Sequence, residues 1–242
     1  MAVVRISAVV LSLFIVCGFS ASPKAGTWAP GTTIDYYLGD PPPGITAAQF
    51  RTIFETSFAN WTSLGLDLSL NFSGTATPTP SNSLNNIGAV NPWPTGLGNT
   101  RTTIASTDIT EFPLGRIFEA DVFLNTQGFT FAIYPDTFQI GDPNPCGIGI
   151  SCADLQSILM HEIGHFIGLG HLPDANATMF AVYDSGIGFR TLAAGDIAAI
   201  GELYGIEVSP VPLPAALPLY GTGLAIIGLI GWRRRRRAAA TA

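Results

Sequence analysis

Histidine, cysteine and charge are all scarce in this chain of 242 residues, which holds 3 His, 3 Cys and 12% charged residues. Every histidine lies between positions 161 and 171, so none is left elsewhere to activate a serine or cysteine, and a Ser-His or Cys-His nucleophile is excluded. Basic residues are thin where a folded body would sit. Six of the 11 are at the two ends (Arg5 and residues 233–237), leaving five against 17 acidic residues in between, a formal balance of −12. That excess argues against nucleic acid as a partner and is compatible with bound calcium, for which the sequence assigns no ligands. Cys17 falls in the leading segment, so Cys146 and Cys152 remain as an even pair. Their spacing is unlike Cys-x-x-Cys and no histidine is free to complete a metal set, so a disulfide in an exported domain is expected.

What is present starts with two apolar ends. Arg5 followed by the apolar stretch 6–16 reads as a secretory signal over residues 1–20, with cleavage after Ser20. At the other end Val211-Pro212-Leu213-Pro214-Ala215 opens an apolar run to Trp232, followed by five arginines. About twenty apolar residues can cross a bilayer, and an arginine cluster held at the cytoplasmic side places the preceding chain outside. The order of proline motif, span and arginines resembles the PEP-CTERM class of sorting signals, in its Val-Pro-Leu-Pro-Ala variant. The resemblance covers residues 210–237, with 238–242 as a tail. It implies a Gram-negative source, initial anchorage in the inner membrane, an exosortase-like enzyme as partner, and a final place in the envelope, at the cell surface or outside the cell.

Residues 21–209 have the size of one domain and show no internal repeat. Residues 33–38 read as a first strand. Thr46 can cap a helix whose apolar residues Phe50, Ile53, Phe54, Phe58 and Trp61 recur at helical spacing, and Leu66, Leu68, Leu70 and Phe72 alternate with polar residues as in a half-buried strand. Residues 73–99, rich in Pro, Ser, Asn, Thr and Gly, read as a surface excursion. Strands are expected at 102–105 and 117–124, with another at 128–134. A helix spans 153–167, and a closing helix at 194–203 ends in Tyr204-Gly205.

The chemistry sits in His161-Glu162-Ile163-Gly164-His165-Phe166-Ile167-Gly168-Leu169-Gly170-His171. Positions four apart share a helix face, so His161 and His165 can offer nitrogens to one ion. Gly168 lets the chain leave the helix, and His171 can return as a third ligand. Three neutral ligands with a position left open are the arrangement of a catalytic zinc, which acidifies water and polarises a carbonyl. Glu162, beside the first ligand but rotated off it, is placed to take a proton from water and pass it to a leaving amine.

This segment, followed by Met179 in Asn176-Ala177-Thr178-Met179, resembles the metzincin metallopeptidases and within them the matrixins. Residues 115–122 and 196–205 resemble the strand before that family's catalytic helix and its closing helix. The resemblance implies an α+β domain: a twisted, mainly parallel sheet with an antiparallel edge strand, two long helices and a short C-terminal helix. It implies an endopeptidase acting on extended protein or peptide segments docked beside an edge strand, expected near residues 128–134. His161, His165 and His171 then bind zinc, Glu162 is the general base, and Met179 is structural. Two departures stand out. No histidines remain for a second zinc, and Phe180 occupies a position where matrixins usually carry tyrosine. The competing reading is a non-catalytic surface or matrix protein that keeps the fold and the zinc; an intact Glu162 favours the enzyme, since a binder needs no general base.

Overall fold

The computed structural model describes residues 15–16 and 26–207, apart from 114, 140–141, 148–150 and 184–185. The sorting tail at 210–237, and all of the export signal except 15–16, lie outside the described residues. Among those described, no helix is long and apolar enough to cross a membrane. Ile15–Val16 (β1) pair antiparallel with Val182–Tyr183 (β9).

The main sheet is built from Thr32–Leu38 (β2), Leu68–Thr75 (β3), Asn85–Val90 (β4), Ala105–Phe112 (β5) and Arg116–Asn125 (β6), in the order β3-β2-β4-β6-β5. Its first four members are mutually parallel and β5 runs antiparallel along one edge. In β2 the period of two buries Ile34, Tyr36 and Leu38. Ala47–Thr62 (α1) starts at Thr46, whose hydroxyl accepts from Gln49 N at 3.2 Å while Gln49 Oε1 accepts from Thr46 N at 3.0 Å, a reciprocal cap. The buried face of α1 (Phe50, Phe54, Phe58, Trp61) packs on the sheet, with the Phe54 and Tyr36 rings 5.0 Å apart. Each such ring removed from water contributes roughly 1.5–3 kcal/mol. Leu155–Phe166 (α2) lies in the same core, and Trp61 ties the two helices by donating from Nε1 to Met160 O at 2.9 Å. Ala194–Tyr204 (α3) ends at Gly205 in a left-handed conformation, φ 65°.

Four sequence expectations need correction. The strand expected at 66–72 lies at 68–75. The stretch at 73–99 is not all excursion: β4 is inserted between β2 and β6 at the centre of the sheet. Its polar residues conceal it, yet each is tied to a neighbouring strand, with Asn86 Oδ1 left without a partner among the described residues. Asn85 donates to Asp35 O (2.8 Å) and accepts from Ala120 N (2.9 Å), and Asn86 N and Nδ2 both donate to Asp121 Oδ1. A Cβ at Gly88 would lie 2.9 Å from Gly39 Cα, so this central position accepts only glycine. Burial, with Glu119 beside it, pushes the Asp121 carboxyl up to about 7 against the bonds from Asn86. The strand expected at 102–105 begins at Ala105 and runs on to Phe112 through residues such as Asp108 and Glu111, which an edge tolerates. Lastly, residues 128–134 do not supply the edge of the main sheet. Only Thr130–Ala132 (β7) is extended, paired in parallel with Cys152–Asp154 (β8) in a separate two-stranded sheet.

Candidate metal centre

Asp154, the last residue of β8, caps α2: its Oδ2 accepts from Ser157 N at 2.9 Å and from Ser157 Oγ at 2.8 Å. The helix that follows is buried on nearly every side, which holds its side chains in fixed rotamers. Cys146 and Cys152 are joined as a disulfide, closing the loop just before this cap, with Cα atoms 6.2 Å apart. At the far end Gly168 takes φ 97°, and a Cβ there would stand 2.0 Å from Gly26 O. This turn brings Leu169 O back against His165 and returns His171 toward the helix.

The three imidazoles converge. Nε2 of His165 is 3.1 Å from Nε2 of both His161 and His171, and the remaining pair is at 3.3 Å. Nδ1 of His161 donates to Thr178 O and Nδ1 of His165 to Leu169 O, both at 2.7 Å. A carbonyl only accepts, so both rings carry their proton on Nδ1 and present a bare lone pair at Nε2. The 3.1 Å contact between those two lone pairs is therefore no hydrogen bond; it is the spacing of ligand atoms around a cation. A tetrahedral ion with bonds of about 2.0–2.1 Å separates its ligand atoms by roughly 3.3 Å, so the donor set fits zinc. Burial holds the rings neutral: it depresses His161 well below the usual imidazole range, His165 to about 4 and His171 downward. Among the described residues this trio alone gathers three or more such ligands, and the calcium expectation finds no acidic set of that kind.

Glu162 is 1% exposed, and burial pushes its carboxyl up to about 7, opposed by a hydrogen bond from Thr107. Oε2 accepts from Thr107 Oγ1 at 2.7 Å, and Oε1 has no partner among the described residues. Met179 lies fully buried beneath the helix, where a Cβ on Gly164 would come 2.1 Å from its sulfur. Gly164, between the two helical histidines, thus lets the methionine and Trp61 pack close under the imidazoles.

Residues 113–205 match the matrixin family (Peptidase_M10). This stretch of the chain is matrixin-like. Over 57 residues, 24% of this chain and 19% of the relative, it is 44% identical to Metalloendoproteinase 1 of Glycine max. Over 52 residues, 22% of this chain and 14% of the relative, it is 46% identical to Metalloendoproteinase 5-MMP of Arabidopsis thaliana. The chain thus spans less than a fifth of the length of either curated relative. The matrixin-like region runs from just before β6 to the end of α3, so it contains the histidines and the methionine beneath them.

Around this centre stand residues that sequence reasoning passed over. Asp196, at the start of α3, accepts from Thr178 N (2.8 Å), Met179 N (3.0 Å) and Ala193 N (2.8 Å), and so holds the turn that carries Met179. Arg190 donates from Nε to Asp154 Oδ2 at 2.7 Å and from Nη2 to Asp154 Oδ1 at 2.5 Å and Tyr134 O at 2.8 Å, clamping the chain after β9 to the cap of α2. Asp154 followed by an apolar helical run was a readable cap signal. Arg190, Thr107 and the hold of Asp196 on the methionine turn had none, because the partners in these contacts lie 17 or more residues away.

Proposed function

We propose that this protein is an exported zinc-dependent endopeptidase in which His161, His165 and His171 hold a catalytic zinc and Glu162 is the general base. The observation that carries the reading is the meeting of three Nε2 atoms at 3.1–3.3 Å, two of them left as bare lone pairs because carbonyl acceptors fix the ring proton on Nδ1. When bound, zinc supplies a Lewis acid that acidifies water and polarises a carbonyl. The protein's own residues do the rest. Glu162 Oε1 takes the proton of the attacking water and returns it to the leaving nitrogen, completing hydrolysis of the peptide bond without a protein nucleophile. Its burial keeps bulk water from competing for that oxygen. The edge strand for an extended substrate is β5, whose Thr107 touches Glu162, in place of the segment at 128–134.

The purified protein is expected to hydrolyse casein, to lose that activity with 1,10-phenanthroline, and to recover it when zinc is returned. Activity untouched by the chelator would overturn the zinc mechanism. Bound zinc without cleavage of a broad peptide library would favour the non-catalytic surface protein.

Export rests on the apolar leader after Arg5, and envelope anchorage on the apolar run and five arginines at the other end, with an exosortase-like enzyme as processing partner in a Gram-negative host. In such a host the full chain is expected in the membrane fraction, and a chain ending at residue 209 in the soluble exported fraction. Immunoblotting of cell fractions checks this; equal distribution of both would remove the anchoring role.

A further inference from the structure

Resting on the peptidase reading above, the geometry points to Thr107 as a positioning residue for Glu162: its hydroxyl ties down Oε2 and leaves Oε1 as the oxygen free to accept a proton. Thr107 lies on β5 opposite Val122 of β6, 5% exposed, with Ala105 as its fully buried neighbour on the same face. The facing positions of β6 are Ala120, Val122 and Leu124, all fully buried. A hydroxyl in such an apolar patch is costly unless it is hydrogen-bonded, and valine, of the same shape, would be the ordinary occupant. Thr107 meets this cost through Glu162, with Oγ1 at 2.7 Å from Oε2 and 3.1 Å from the Glu162 backbone oxygen. A hydroxyl has one proton, and the nearer carboxylate oxygen receives it. Among the described residues no other side chain or backbone group donates to this carboxyl: Oε1 is unpartnered and Thr107 alone donates to Oε2. Without it the carboxyl group would be free to rotate about its last torsion, which is broad and twofold.

The test compares Thr107→Val and Thr107→Ser in the full, zinc-loaded protein on a fluorogenic peptide. Valine is expected to lower kcat about tenfold, the loss that follows from one hydrogen bond to a charged group, with KM and zinc content unchanged. Serine, which keeps the hydroxyl, restores kcat to near the parent value. A second readout needs no activity: in metal-free protein, melting temperatures are compared for Thr107→Val, Glu162→Ala and the double variant. The valine change should lower Tm clearly more in the parent than when Glu162 is already alanine, where the hydroxyl keeps only the backbone oxygen of residue 162. A kcat within twofold of the parent in Thr107→Val, or Tm losses that simply add, would overturn the proposal. If the parent itself cleaves nothing, the peptidase reading falls, while the Tm cycle still decides whether Thr107 holds Glu162.

Discussion

Glu162→Gln is expected to keep the fold and the metal and to lose about 10²–10⁴ in kcat, the usual contribution of a positioned general base. Glutamine has the same shape and can still accept from Thr107 through its amide oxygen, so the packing around a side chain that is 1% exposed is preserved. What it lacks is an anionic oxygen at the place of Oε1, where the proton is to be received. Three readings on one preparation decide the matter: zinc per chain by elemental analysis, Tm, and kcat on a peptide substrate. Unchanged zinc and Tm with kcat down by two orders of magnitude or more assign Glu162 to the chemical step. A variant that turns over at a tenth of the parent rate or faster would remove it from that role.

Gly168→Ala should be the most damaging single methyl group near the centre, costing about 2–5 kcal/mol and lowering metal content with it. Two independent penalties fall on that one position. A φ of 97° is strained for any residue with a Cβ, and the added carbon would stand 2.0 Å from Gly26 O, which belongs to backbone and cannot swing aside. The strain has chemical consequences because the same turn delivers Leu169 O to His165 and His171 to the trio. Gly188→Ala is the control: nothing lies within 4 Å of its Cβ position, and its stability should stay within about 0.5 kcal/mol of the parent. Urea unfolding together with zinc stoichiometry measures both. Equal effects at the two positions would mean that the turn relaxes freely and that its geometry is not what holds His171 in the trio.

The centre was legible in the sequence because its parts are local. Two histidines one helical turn apart, a glycine and a third histidine fall within eleven residues, and a helix of fixed pitch converts that spacing directly into direction. Strands whose apolar residues alternate, such as β2, and the capped helix α1 were readable for the same reason. β4 was not, because its central place depends on Asn85 and Asn86 meeting partners on β2 and β6, and a buried asparagine looks like a loop residue until its acceptors and donors are known. The edge strand at the site was misplaced on similar grounds: the polar residues of β5 weaken its pattern, while the more apolar 128–134 extends for only three residues. Thr107 is the extreme case, a β-branched residue in a strand whose importance lies wholly in a carboxylate 55 positions away.

The two carbonyl oxygens that hold Nδ1 of His161 and His165 bear on how the centre would acquire an ion. Both acceptors are main-chain atoms, one in the turn after Gly168 and the other next to Met179, so the rings are aimed by the backbone itself before any ion arrives. Little conformational freedom is then left to lose on binding. An ion bound there would fill a chelate already arranged, so the metal-free chain is expected to fold without it.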